Sequence, residues 1–352
     1  MSDYPMLISN KLHSFRNFTP LINIIIVMKH ISINYILTTA LALGIGISIP
    51  VLIGSTCLSE QHSVQSEVPY CVTPPTVPEQ AVFDGDTIDL RRYDRRERMD
   101  RELMSFTYMH SSTMQMIKRA NRYFPVIEPL LKANGIPDDF KYLMVIESNL
   151  NPIARSPAGA AGLWQFMPVT AREFGLEVND NVDERYHIEK ATAAACRYFK
   201  QAYAKYGDWM AVSASYNAGQ GRISSQLDKQ LADHAMDLWL AEETSRYMFR
   251  LLAVKEVFGN PQRFGFLLKR EHLYPAIPYK EVAVDTEISD LSNFAQKQGI
   301  TYAQLRDANP WLRGSSLKNK TGKKYVLHIP TQEGMNYDPR KTVPHEHKWV
   351  ID

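Results

Sequence analysis

Cysteine is scarce in this chain. Cys57, Cys71 and Cys196 are the only three in 352 residues, and none stands in CxxC spacing. A disulfide framework and a structural zinc site are both disfavoured, because both need more thiols in suitable spacing. Cys57 and Cys71 remain able to pair if the chain is exported to an oxidising compartment. An excess of charge of one sign is also missing: 40 Lys and Arg stand against 38 Asp and Glu, a net +2. Bulk electrostatic attraction to nucleic acid is therefore not indicated. What is present is ordinary globular material, 45% hydrophobic and 22% charged. At roughly 150 residues per domain, the length allows about two domains.

Charge is absent altogether from Ile31 to Ser59, and Tyr35 to Gly54 is almost continuously apolar. Lys29 and His30 precede this run, the layout of an export signal or a membrane anchor. About 20 apolar residues suffice to span a bilayer core, although Gly44, Gly46 and Pro50 weaken a permanent span. Met28 offers an alternative start, leaving MKHISINYIL as a signal onset. Cys57 invites a lipid attachment, but Ile53-Gly54-Ser55-Thr56 fits the usual Leu-x-small-Cys pattern poorly. A cleaved signal, an uncleaved anchor and a lipoprotein all stay open. Each places the remainder outside the cytoplasm.

Residues 58 to about 88 contain SEVPYCVTPPTVPEQ, a linker by composition. The mixed-charge run RRYDRRERMDRE that follows reads as a solvated helix start rather than a cationic patch for an anionic wall polymer. From about 100 to 260 the pattern is helical. Pro137-Asp138-Asp139 starts one helix, Gly207 stops a long Ala/aromatic one containing Cys196, and Asp208 caps the next. Cys196 is expected to be a small core residue. After Pro275 and Pro278, EVAV and KKYVLHIP read as strands around two short helices, LSNFAQKQG and YAQLRDAN. This β-α-α-β unit suits binding more than catalysis. Residues 332–352 read as a loose tail, whose His345-x-His347 pair lacks the further ligands of a metal site.

The residue that suggests chemistry is Glu147, in FKYLMVIESNLNPIARSPAGAAGLWQFMP. Most glutamates at helix ends are simply solvated. Here the free carbonyls of a helix C-terminus and the apolar residues before it both disfavour a carboxylate, raising its pKa toward that of a general acid. Asn149, Asn151, Ser156, Gln165, Tyr216 and Asn217 supply hydrogen-bonding groups, and Trp164 and Phe166 supply possible stacking surfaces. Sugars are ligands of that kind, although a Trp in such a run is more often core.

The segments ESNLNPIARSPAGAAGLWQFMPVTA, VDER (182–185), SYNAGQGRI (215–223) and ETSRYMFRLLA (243–253), in that order, closely resemble the lysozyme-like lytic transglycosylases. The resemblance covers about residues 100–260. It implies a mainly α protein, a lysozyme-like catalytic domain over 96–265 after an N-terminal extension with signal or anchor (1–57) and a linker (58–95). The terminal unit, 279–331, resembles a LysM module by its size, its RDANPWL and its closing Ile329-Pro330, although Val284-Asp285-Thr286-Glu287 stands where Gly-Asp-Thr-Leu is usual. Its glycan affinity is therefore an open question.

The resemblance implies a carbon–oxygen lyase acting on peptidoglycan, as an exo- or endotransglycosylase, without cofactor or metal. Glu147 would be its only catalytic carboxylate, protonating the glycosidic oxygen between MurNAc and GlcNAc and then deprotonating the MurNAc 6-hydroxyl. Attack of that hydroxyl on C1 gives a 1,6-anhydro end. By motif position, Ser156 would orient the N-acetyl region and the catalytic Glu, Gln165 would contact the substrate and help shape the cleft, Tyr216 and Asn217 would line it, and Tyr247 would hydrogen-bond Glu147; Trp164 would bind saccharide by stacking. Gly159 and Gly162 are expected to permit close backbone approach to the sugar. Asp183 and Arg185 read as a structural ion pair. The implied partners are peptidoglycan strands and, through the N-terminal segment or a lipid, the membrane, with no nucleic acid. Two rivals remain: a hydrolytic muramidase using Asp180 or Asp183 to position water, and a catalytically silent wall-binding protein.

Overall fold

A computed structural model describes residues 73–352. The expected export segment and the Cys57–Cys71 pair lie outside these residues. Among the described residues no helix is long and apolar enough to cross a membrane.

The first element corrects the linker reading. Gln80–Phe83 (β1) and Asp86–Asp89 (β2) pair antiparallel across Asp84-Gly85, both at positive φ. That dipeptide suits a two-residue hairpin turn, because Gly and Asp tolerate left-handed backbone. Phe83 and Ile88 are buried, and Phe83 lies 5.6 Å from the ring of Phe140. Two short strands among prolines and charges gave too little apolar signal to outweigh composition.

Helices follow: α1 (Tyr93–Tyr108), α2 (His110–Ala133), α3 (Lys141–Ser148), α4 (Pro168–Glu173), α5 (Ile188–Tyr206), α6 (Trp209–Ala218), α7 (Gln220–Gln230) and α8 (Glu242–Gly259). The short, apolar α3 is central, with Leu143, Met144 and Val145 fully buried and with α2 and α8 packed against it. It begins after one 3-10 turn, Asp138–Phe140, and ends where Asn149 and Leu150 both turn left-handed, at φ 52 and 54. Asn tolerates that conformation; Leu does so at a cost of roughly 1–2 kcal/mol, offset here by complete burial of its side chain. Gly207 and Asp208 end α5 and cap α6 as their sequence signals require. Cys196 is a buried free thiol in α5.

The second domain pairs β3 (Tyr279–Val284) antiparallel with β4 (Tyr325–Pro330), Tyr279 opposite Pro330, around α9 (Leu291–Lys297) and α10 (Tyr302–Ala308). Asp290 caps α9, and Thr301 with Gln304 forms a capping box on α10. Its core is shared with the helical domain: Leu291, Leu305, Trp311, Leu312 and Leu327 pack in one cluster with Ala161, Val182 and Tyr186. Asn181 makes the seam specific. Its Nδ2 donates to Ser316 O (2.7 Å), its Oδ1 accepts from Lys318 N (2.8 Å), and its carbonyl accepts from Arg313 N.

The expectation of a loose tail is also corrected. Residues Gln332–Met335 form a last helical turn (α11), and Trp349 is buried, donating from Nε1 to Phe258 O at 2.9 Å. The buried Asn121 of α2 donates to Tyr274 O and Val343 O and accepts from His345 N. One Trp among His, Lys and Pro carries no periodicity, so nothing local announced the docking. His345 bonds Glu128 at 3.0 Å, and among the described residues no group of side chains could hold a metal ion.

Candidate active site

Glu147 occupies the last turn of α3, and its side chain meets α8. The Tyr247 hydroxyl donates to Oε1 at 2.8 Å. Glu243, Tyr247 and Arg250 recur at i, i+4 and i+7, one face of α8, and all three act on the carboxyl. Burial is the largest influence and raises the pKa; the Tyr247 bond and the Arg250 charge lower it, and Glu243 raises it slightly. The result is about 7. Glu243 and Arg250 were not singled out by the sequence; their spacing around Tyr247 was the available signal.

Tyr247 and Tyr216 both have phenols pushed well above their ordinary pKa, by burial first and then by the Glu147 charge. Both therefore remain donors. Removing one has a calculable sign. The Tyr247 hydroxyl favours the carboxylate form, so Tyr247→Phe is expected to raise the Glu147 pKa above its value of about 7. A carbon-13 NMR titration of the glutamate carboxyls reads this directly, and a downward shift would reject the assigned bond.

The loop 149–167 rises beside Glu147. Tyr216 donates to Trp164 O at 2.6 Å, so its hydroxyl ties α6 to this loop. Gln165 stands at φ 49 and donates from Nε2 to Ala154 O and Gly162 O, bracing the loop from inside. Ser156 Oγ accepts from Ala160 N at 3.0 Å, and among the described residues no hydrogen bond joins Ser156 to Glu147. Asn217 is half-buried at the end of α6, with no side-chain hydrogen bond among the described residues. Asn149 caps α3 by its left-handed backbone, while Asn151 Oδ1 accepts from Ile153 N.

Two expected stacking surfaces are corrected. Trp164 is 0% exposed, its Nε1 donating to Thr192 Oγ1 at 3.0 Å, and Phe166 is buried. Neither ring can meet a sugar in this structure. The apolar wall formed by α5 and α6 lies directly beneath the loop and takes both rings, Trp164 against Phe199 and Phe166 against Tyr216.

Asp183 and Arg185 form a buried pair with Nη2–Oδ2 at 2.8 Å and Nε–Oδ1 at 2.9 Å. Arg185 Nη1 also donates to Gly159 O (2.7 Å) and Phe166 O (3.0 Å). The pair thus holds both arms of the loop, and Asp183 N donates to Trp311 O of the second domain. With both oxygens engaged by Arg185, Asp183 is not free to position water. Gly162, at φ 78, has no room for a side chain, since a Cβ would overlap the Arg185 carbonyl. Its requirement comes from this packing rather than from approach to a sugar. Gly159, at φ 92, has open space where a Cβ would stand, and its backbone conformation favours glycine.

Residues 124–236 match the Transglycosylase SLT domain, and residues 280–333 match the Soluble lytic transglycosylase C-terminal LysM-like domain. Over 253 residues the chain is 30% identical to membrane-bound lytic murein transglycosylase D of Escherichia coli K12, covering 70% of this chain and 54% of that protein. It is 31% identical over 161 residues to peptidoglycan transglycosylase gp16 of Escherichia phage T7, covering 44% of this chain and 12% of that one. The chain thus spans about half the length of the first of these relatives. Among solved structures, the 70 kDa soluble lytic transglycosylase of Escherichia coli aligns with a TM-score of 0.34 and 24% identity, over 39% of this chain and 24% of that one.

Proposed function

Because this chain carries a transglycosylase SLT domain followed by a LysM-like domain, we propose that it is a peptidoglycan lytic transglycosylase with Glu147 as its sole acid–base group. The observation that carries this reading is the Glu147 carboxyl itself, poised at a pKa of about 7 and held by Tyr247. A group near half-protonation at neutral pH can give a proton and take one back within a single turnover.

The steps follow from that property. Protonated Glu147 delivers its proton to the glycosidic oxygen as the bond from MurNAc C1 to the GlcNAc oxygen breaks. The resulting carboxylate removes the proton of the MurNAc 6-hydroxyl, and that oxygen closes on C1 to form the 1,6-anhydro ring. Glu147 ends protonated, ready for another cycle. The substrate supplies its own nucleophile, which departs from the usual two-carboxylate arrangement. Ser156, Gln165, Tyr216 and Asn217 belong to this reading as loop and cleft residues, Gln165 and Tyr216 by fixing the loop. The setting is the cell envelope or periplasm, with membrane association through the N-terminal segment.

Mass spectrometry of sacculi digested by the protein tests the reading. Anhydro-MurNAc ends are expected. Reducing-end MurNAc instead would assign a hydrolase, with Glu243, the carboxylate among the described residues whose charge acts on Glu147, as the first candidate for positioning water.

A further inference from the structure

Helix α8 begins without a cap. Ala241 occupies the N-cap position and no side chain bonds the first-turn amides. Those amides have no acceptor inside the helix, and the helix dipole adds partial positive charge there. This end opens into a cavity of about 520 Å³ lined by Arg98, Arg222, Trp239, Glu242, Thr244 and Ser245, among others. Its lining includes none of Glu147, Ser156, Gln165, Tyr216, Asn217 and Tyr247. At 100° per residue, Ser245 points nearly opposite Tyr247, whereas Thr244, three residues before Tyr247, stands only about 60° from it.

Four features make it a built site rather than a dent. Thr244 and Ser245 are 3% and 4% exposed, line the cavity, and make no side-chain hydrogen bond among the described residues. Arg222 makes no ion pair or hydrogen bond among the described residues. Among the described residues Arg98 has only the ring of Phe249, 6.0 Å away, as a partner. The one lining carboxylate, Glu242, is paired with Arg101. Lastly, Trp239 leaves 79% of its surface exposed while its backbone is clamped by a single side chain. Gln230 Nε2 donates to Trp239 O at 2.9 Å, and Trp239 N donates to Gln230 Oε1 at 2.7 Å. A large ring held out in water on a fixed backbone is ready to stack without further ordering cost.

We propose that this cavity is a second saccharide site, taking a pyranose that bears a carboxylate. The sugar ring lies on Trp239. Its carboxylate meets Arg98, Arg222 and the free amides of α8, while Thr244 and Ser245 hydroxyls accept or donate to the ring substituents. Anions are held at helix N-termini by the same amides and dipole, and guanidinium groups bind carboxylates in a matching fork. Under the proposed activity, on which this identification of the source rests, the ligand is a muramyl residue whose lactyl group is free of peptide. A site at the N-terminal end of α8 would retain a strand while Glu147 acts on another stretch.

The test titrates the intact protein with N-acetylmuramic acid, N-acetylglucosamine and inorganic phosphate, following the amide resonances of Glu242–Ser245. N-acetylmuramic acid is expected to bind about tenfold tighter than N-acetylglucosamine, the equivalent of one charge-assisted hydrogen bond. Arg222→Ala should erase that preference, and Trp239→Ala should weaken both sugars. Both positions are exposed, so neither substitution threatens the fold. A preference that survives Arg222→Ala overturns the proposal. So does phosphate binding as tight as N-acetylmuramic acid with no dependence on Trp239, which would leave an anion hole only. Failure of the wild-type protein to cleave sacculi while these affinities hold would count against the proposed activity and not against this site.

Discussion

Glu147→Gln is expected to lower glycan release by about 10²–10⁴-fold, the range general acid–base groups contribute. Gln keeps the shape of Glu and can still accept the Tyr247 hydrogen bond, so positioning is retained and only proton transfer is lost. Release of soluble muropeptides from sacculi measures it, and a variant that keeps a tenth of the wild-type rate would remove Glu147 from the mechanism. The same variant carries a stability signature. Folding raises the Glu147 pKa from 4.5 to about 7, so between those values the folded protein holds a proton that the unfolded chain releases. Stability of the wild type therefore falls as pH rises through that window, and the penalty is complete above it. The amide that replaces the carboxyl cannot titrate. The melting temperature of the variant relative to wild type should climb from pH 4.5 to about 7 and then level off. A difference that is flat with pH would place the carboxyl in water rather than in a buried pocket.

Arg185→Ala is expected to destabilise the protein by about 3–5 kcal/mol, the usual consequence of removing one partner of a buried ion pair. Here the change strands the Asp183 carboxylate and removes the donor from two carbonyls, Gly159 O and Phe166 O. Against a typical total of about 5–15 kcal/mol, such a loss is severe. Lys at the same position keeps the charge but not the fork, and should recover only part of it. Urea unfolding measures both variants. A cost for Ala below about 1 kcal/mol, the level of an exposed pair, would mean the loop is held by other contacts. Because Asp183 N also bonds Trp311 O, and Ala161 and Val182 sit in the core of the second domain, the LysM-like unit takes part in holding the loop next to Glu147.

How far the site could be read in advance varied residue by residue. Glu147 was legible because a carboxyl closing an apolar helix leaves a mark in local order, whereas Tyr247 was legible only through the resemblance, by its motif position. Trp164 and Gln165 show what local order leaves open. The Trp reads as a platform or, more often, as core, and burial decides for core; the Gln is matched to a substrate contact by motif position, while its Nε2 is bonded to Ala154 O and Gly162 O. The platform that the structure does expose, Trp239, stands in a stretch without any motif. Arg185 was legible as a partner of Asp183 two residues away, yet its grip on Gly159 and Phe166 spans 26 and 19 residues.

By itself the sequence determined the helical domain, its caps and stops, the β-α-α-β unit and a carboxyl, Glu147, closing an apolar helix. These depend on periodicity and on neighbours within a few residues, where φ, ψ preferences and helix-end electrostatics act. Tertiary structure alone decided which aromatic rings are core, that Asp84-Gly85 folds a hairpin onto Phe140, that Trp349 docks under α2, and that the Glu147 pKa comes to about 7. Burial is a sum over atoms brought together from distant parts of the chain. Desolvation, and with it the proton on Glu147, follows from that sum.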